Sequence, residues 1–474
     1  MKLPFRLHQL GVYVASLLAM AADAQTVVPA DAYLLHITVV DGANRTLPGS
    51  EIRIDNTVAG VTDDTGQYYM ARRPVPDGPH TLSVSRRGFM TASRTVNDLS
   101  KVVQGGKAGV ELRFKLIPAP AGLAAPVTRN AFPEPNYDIV QVFYATDRAD
   151  TKNADPALRY SGERSTALGL SRGICEVSIP ATHVVGELES PSWLRFEYTP
   201  DPAKHVVLKS IQPLERDPFY EKLSARVASS PSKEVVVFIH GFNNSFEHAA
   251  RQAAQIARDA SFDGAPVLYS WPSKNRLVAY TEDEDTVQWT AFHLRDFLEE
   301  LAQRSHASKI HLIAHSMGNR ALTSALQMIA SKERPRGTSA PPFDQIVLAA
   351  PDIGADTLTL FAREIGSAAR RMTLYASAND DALLVSSFIH GGNRAGQKDG
   401  YLLVAPGIDT VDASAARTDF IGHGYFGQSA SIIDDIRKIF TNEAPPELRN
   451  LVPAVIRDLR YWIIPGPAGP EKHP

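Results

Sequence analysis

Cysteine is all but missing from this 474-residue sequence: Cys175 stands alone, so no intrachain disulfide can form and the fold must rest on its apolar core. Within "GICEVSIP" that thiol reads as a small apolar residue on a strand, not as a nucleophile. Charge imbalance is missing too. Lys and Arg total 49 against 52 Asp and Glu, a formal net charge of -3, which gives no electrostatic pull toward nucleic acid. Glycine (31) and proline (33) stay near ordinary usage, which excludes wholesale disorder. No internal repeat of roughly 20–50 residues is present. Neither a phosphate-cradling glycine loop nor a metal-ligand cluster is seen, so no cofactor and no metal are expected.

The one long apolar run is N-terminal. Lys2 and Arg6 precede Leu10 to Ala22, and Ala22-Asp23-Ala24 has the small-x-small form of a cleavage site. This predicts a signal peptide over residues 1–24, cleaved after Ala24, and hence a periplasmic or secreted protein. The run falls short of the roughly 20 residues of a span, so the alternative of an uncleaved anchor is the weaker one, and a lipid anchor has no cysteine to attach to.

Residues 30–117 read as short alternating strands, "YLLHITVVDG", "SEIRIDN", "GQYYMA", "HTLSVSRRG" and "GVELRFKLIP", separated by turn signals such as Asp41-Gly42 and Asp77-Gly78. That spacing predicts an all-β sandwich, with a spacer or docking role toward an envelope component. Residues 118–136, rich in Pro and Ala, predict an extended linker. From 137 to 464 the pattern changes to β-branched apolar runs alternating with helical segments, the mark of a doubly wound, mostly parallel α/β sheet. The runs are "EVVVFIHG", "APVLYSWP", "KIHLIAHS", "FDQIVLAAPD" and "RRMTLYAS"; the fragments between 137 and 232 extend the sheet's leading edge. One helix carries Phe246, Ala249, Ala250, Ala253, Ala257 and Ala260 on a face; another carries a noisier stripe of Phe292, Arg295, Phe297, Leu298 and Leu301. Residues 465–474 read as a tail.

The chemistry concentrates where "KIHLIAH" stops at Ser316 and a helix starts at once. Small residues two positions to either side, Ala314 and Gly318, let a sharp strand–turn–helix elbow close, with Ala in place of the first Gly of G-x-S-x-G. The alternative is a plain helix cap. A nucleophilic serine needs a base and an orienting acid, and on such a fold they follow in that chain order. Asp380 and Asp381 follow the strand "MTLYAS", and His423 lies between two glycines after "GIDTVDAS". Asp352, one strand earlier, is an alternative acid, although a helix-capping role suits it better. Backbone N–H groups of Met317 and Phe242 are the expected oxyanion donors, the latter because His240-Gly241-Phe242-Asn243 resembles the HG motif of lipases and esterases. His240 and His315 read as structural, and the glycine-rich "FIHGGNRAGQKDGY" as either a cover or an ordinary loop.

Together "VFYATDR", "VSIPATH", "VVVFIHGFNNSFEHA", "YSWPS", "IHLIAHSMGNRAL", "VLAAPDIGAD", "LYASANDDALLVS" and "DFIGHGYFGQS" resemble a bacterial family of serine α/β-hydrolases of uncharacterised function. The N-terminal segment "GVTDDTGQYY…DGPHTLSVSRRGF" resembles carboxypeptidase-regulatory-like, transthyretin-type modules. The first resemblance implies the α/β-hydrolase fold and a triad of Ser316, Asp380 and His423, and it fixes no substrate. Fold-level analogy together with the N-terminal signal gives the expected function, an exported carboxylic ester hydrolase, esterase- or lipase-like, acting on a small-molecule or lipid ester. An acyltransferase sharing the same acyl-enzyme, and a binding protein without turnover, are the alternatives.

Overall fold

The computed structural model describes residues 33–42, 45–47, 49–55, 57–62, 67–72, 80–86, 89–96, 103–104, 107–118, 136–167, 169–191, 200–275, 280–332, 341–378, 380, 383, 386–387, 392–398, 402–416 and 429–466. The expected signal peptide, nearly all of the linker, most of the tail, Asp381 and His423 lie outside the described residues.

Among the described residues the N-terminal unit holds two four-stranded sheets and a two-stranded pairing of Phe89–Met90 with Ile117–Pro118. One four-stranded sheet holds Tyr33–Val40, Gln67–Arg72, Val103–Gln104 and Lys107–Lys115; the other holds Glu51–Ile54, Thr57–Val61, His80–Ser85 and Ala92–Val96. Period-2 alternation turns Ile37, Val39, Leu112 and Phe114 of the first and Ile52, Ile54, Leu82 and Val84 of the second into one apolar cluster.

The rest of the chain builds an eleven-stranded mixed sheet: β1 (Tyr137–Thr146), β2 (Ser171–Pro180), β3 (Val207–Leu214), β4 (Glu234–Ile239), β5 (Ala265–Ser270), β6 (Lys309–His315), β7 (Phe343–Ala349), β8 (Ala369–Ala376), β9 (Asp409–Asp412), β10 (Val452–Ile456) and β11 (Leu459–Ile463). In space they run 3-2-1-5-4-6-7-8-9-11-10. From β1 through β11 in that order every pairing is parallel; β2, β3 and β10 add antiparallel margins. The fragments before β4 thus form the leading edge, as their composition suggests.

Among the described residues six helices cover the sheet: α1 (Arg216–Ser229), α2 (Phe246–Asp259), α3 (Tyr280–Arg304), α4 (Gly318–Ser331), α5 (Ala355–Ile365) and α6 (Ala430–Asn442). The wholly buried β4 sends Val235, Val237 and Ile239 into one apolar cluster and Val236 and Phe238 into another. α1, α3, α4 and α5 pack into the first; α2 and α6 pack into the second. Burial on both faces is why these strands read as continuous β-branched runs. Along α2 the expected face is buried throughout. On α3 the expected stripe holds at Phe297, Leu298 and Leu301, which are buried, and fails at Phe292. Val287, Ala291, Leu294, Leu298 and Leu301, four then three residues apart, are buried with Phe297, whereas Phe292 falls off that period and is 55% exposed under Arg295.

Candidate active site

Parallel pairing of β4, β6, β7, β8 and β9 brings their C-terminal ends to one edge. The loops after β4, β6, β7 and β8 there carry Phe242, Ser316, Asp352 and Asp380.

β6 ends at His315, α4 begins at Gly318, and Ser316 between them holds a left-handed backbone (φ 52°). For a non-glycine residue that conformation costs about 1–3 kcal/mol and needs support from its surroundings. Support comes from three sides. The Ser316 N–H donates to the Ala349 carbonyl (2.9 Å), and its carbonyl accepts from the N–H groups of Asn319 (3.1 Å) and Asp352 (3.3 Å). The buried Asn319 amide reaches the carbonyls of Ala314 (3.1 Å), Ser316 (3.0 Å) and Ala349 (3.1 Å). Ser316 itself is only 3% exposed.

Two glycines let the elbow close. A methyl on Gly318 would stand 2.3 Å from the His240 carbonyl, and one on Gly241 would stand 2.9 Å from both the Ser316 Cβ and His315 Nδ1. The loop 240–244 after β4 is therefore seated directly against the elbow. Met317 is the N-cap residue of α4, so its N–H belongs to the first turn, whose donors lack intrahelical acceptors. The half-buried Phe242 lies in the apposed loop, its ring edge-on to Tyr280 with centroids 5.2 Å apart. The two expected oxyanion residues thus lie on segments packed together, at the positive end of a helix.

The acids differ in their surroundings. Asp352 is 2% exposed, and its carboxylate is enclosed: Tyr280 and Ser386 donate to it, and the guanidinium groups of Arg320 and Arg394 stand 3.4 Å from Oδ1. Burial alone would raise this carboxyl; Arg320, the two hydroxyls and Arg394 outweigh it and hold it below the usual range. Burial and the neighbouring Asp352 push the Tyr280 phenol up, so it stays protonated as a donor. Arg320 also bonds to Glu284 and, at 2.9 Å, to the Tyr280 hydroxyl. Asp380 is 4% exposed, and its Oδ1 accepts the Leu383 N–H at 3.0 Å. Its loop is tied on both sides: Ser377 pairs with Gly396 (2.9 Å) and Lys398 (3.2 Å), and the Ala378 N–H donates to Ser414 Oγ (2.8 Å) in the loop after β9.

The glycine-rich stretch is stitched down where it is described. Asn393, Ala395 and Gly396 bond backbone to backbone with Ala355, Ile353 and Pro351, and Arg394 turns inward to Asp352. Gly396 packs so closely that a methyl would meet Ala350 and Pro351 at 2.6–2.7 Å. Segment 392–398 is thus pinned against the loop after β7.

His240 is buried and stacked on Trp271 (centroids 5.1 Å, 9° between planes). Burial, then Arg148, pushes its pKa well below the ordinary range, which leaves a neutral ring suited to bracing. Among the described residues no group of three or more His, Cys, Asp or Glu side chains could hold a metal ion. Arg148 and Asn319 escaped the sequence reading. The polar triplet Thr146-Asp147-Arg148 closing an apolar strand was the available signal for the first of them.

Residues 215–441, a little under half of the chain, match a family described as "Alpha/beta hydrolase of unknown function (DUF900)". That region is similar to an α/β-hydrolase family whose function is itself not established. No curated protein matches. Among solved structures, catechol 1,2-dioxygenase from Acinetobacter sp. ADP1 is matched at 14% identity and TM-score 0.16 over 23% of this chain and 60% of its own. Chlorocatechol 1,2-dioxygenase from Pseudomonas putida follows at 15% and 0.15 over 18% and 60%. The C-terminal domain of the Caf1A usher stands at 20% and 0.14 over 18% and 97%. The chain spans about 60% of the length of the first two structures, and scores this low carry no argument.

Proposed function

We propose that this protein is an exported serine hydrolase that cleaves carboxylic esters through an acyl-enzyme. The observation that carries the reading is Ser316, held in a left-handed elbow between β6 and α4 with Gly241 of the β4 loop packed against its Cβ. In the proposed reaction Ser316 Oγ attacks the ester carbonyl while His423 accepts its proton. Asp380 orients that imidazole and stabilises its cationic form. The tetrahedral oxyanion is held by the N–H groups of Met317 and Phe242. Its collapse expels the alcohol, which takes the proton from His423. Water, deprotonated by the same imidazole, then releases the acid and restores Ser316.

Asp380 is preferred to Asp352 as the acid because the Asp352 carboxylate already answers two hydroxyls and two guanidinium groups. Hydrolysis of a short aryl ester by the full chain tests the reading. Turnover is expected, rising through an apparent pKa of about 6.5 with the imidazole. Ser316→Ala should fall to background, and a folded wild type without turnover on any acyl length sinks the proposal. Export is proposed on the N-terminal run and is tested by sequencing the mature N-terminus, which should begin at Gln25.

A further inference from the structure

The loop that brings Phe242 to the elbow does not stand by itself. It is gripped from behind by a side chain lying outside residues 215–441. Arg148 leaves the end of β1 in a short strand, Arg148–Asp150, that pairs antiparallel with Tyr160–Arg164. It is 1% exposed, one of the largest fully buried side chains in the protein. Its guanidinium is surrounded by acceptors. Nε donates to Ser270 Oγ (2.8 Å). One terminal nitrogen donates to the carbonyls of Ser161 (3.2 Å) and Ser273 (3.1 Å). The other donates to the Asn244 carbonyl (2.7 Å) and meets His240 Nε2 at 3.2 Å.

A guanidinium can only donate. The contact with His240 therefore assigns Nε2 as the acceptor and leaves the ring proton on Nδ1, which faces the Gly241 carbonyl at 2.8 Å. Nε2 also lies 3.1 Å from the Trp271 carbonyl, but a nitrogen accepting from Arg148 cannot donate there. Through Asn244 on one side and His240 with Gly241 on the other, this one cation spans the loop 240–244. Asn244 adds its own amide bonds to the Gly241 (3.3 Å) and Phe242 (3.1 Å) carbonyls. The cage exists because Gly162 lets its strand come against 273–274, where a methyl would stand 2.8 Å from the Ser273 carbonyl.

We propose that Arg148 is a positioning residue: it fixes the backbone of the loop 240–244 so that the Phe242 N–H is already aimed when an oxyanion forms at Ser316. The catalytic half of this rests on the reading of the protein as a serine hydrolase; the mechanical half does not. A charge with five donors in a fixed fork suits the task, and lysine, with one compact ammonium, does not replace it. Removing it leaves carbonyls of three segments without donors in the interior. Burial lowers the Arg148 pKa to about 10, with Asp147 and Asp283 opposing, so the group stays charged across the neutral range.

The test compares full-length wild type with Arg148→Ala and Arg148→Lys in two readouts. In amide hydrogen exchange, both variants should speed exchange at 240–244 and 271–274 and leave β6, β7 and β8 at wild-type protection. In ester hydrolysis, kcat should fall by about 10²–10³, the loss typical of one oxyanion donor, with KM little changed. Sub-denaturing guanidinium should restore part of the kcat of Arg148→Ala, and sodium chloride at equal ionic strength should not. Unchanged exchange in 240–244, or faster exchange spread over the whole sheet, overturns the proposal. So does a loss confined to KM. If the wild type is folded but turns over no ester, the hydrolase reading fails alone, and the exchange pattern still decides whether Arg148 holds the loop.

Discussion

Two buried carboxylates at one sheet edge have opposite prospects, and their neighbours decide which is which. Asp352 is already neutralised by Arg320 and Arg394, so removing its charge takes the carboxylate from the buried Arg394 and leaves Arg320 with Glu284 alone. Breaking such a network typically costs about 3–5 kcal/mol. Asp352→Asn should therefore lower the melting temperature markedly. Asp380→Asn should leave stability nearer wild type and lower kcat by about 10⁴, the loss seen when a triad acid can no longer fix the tautomer. Steady-state kinetics and thermal melts on both variants separate the roles; the reverse pattern makes Asp352 the acid. Ser316 was legible in sequence because an apolar strand ending on Ala-His-Ser-Met-Gly leaves few options. The cage around Arg148 was not legible: the triplet Thr146-Asp147-Arg148 marks a polar end to an apolar strand but looks the same in water as among carbonyls. The reading of Cys175 as a core residue agrees with its 0% exposure. Burial pushes its thiol up to about 12, so thiol reagents at neutral pH should modify it no faster than the chain unfolds.

At the scale of elements, the site depends on close backbone approach. Gly241→Ala and Gly318→Ala each place a methyl inside contact distance of the apposed segment. Gly318 meets backbone, which cannot swing aside, so that variant should suffer the larger loss of activity. A second linkage is sensitive to pH. The loop after β2 is tied to the end of α2 by His183, whose Nδ1 meets Glu189 (2.8 Å) and whose Nε2 meets Asp259 (2.6 Å). Burial would lower this imidazole, but Asp259 and Glu189 prevail and raise it to about 9. A raised histidine stabilises fully below its unfolded pKa of about 6.5, and the contribution is lost as pH rises through about 9. Between these values the melting temperature of wild type should fall more steeply with pH than that of His183→Gln; parallel slopes exclude the linkage. Helix and strand periods made most elements readable, including the α2 face. The α3 stripe was misread at Phe292, which, though aromatic, lies on the wet side of a 25-residue helix.

At the scale of the whole molecule, the region matching the hydrolase family is incomplete without what precedes it. β1 covers the edge of β5 through the register Phe143–Val267 to Thr146–Ser270, and Arg148 follows directly. A chain begun at residue 137 should keep ester turnover, whereas one begun at 215 exposes the β5 edge and loses the cage, and should aggregate or lack activity. Size-exclusion chromatography with an activity assay distinguishes them. Whether Ser316 Oγ is the nucleophile is read by mass spectrometry after treatment with a fluorophosphonate. The expected result is one phosphonyl adduct per chain, located on Ser316 and absent from the heat-denatured protein. An unmodified folded chain, or an adduct on another residue, contradicts it.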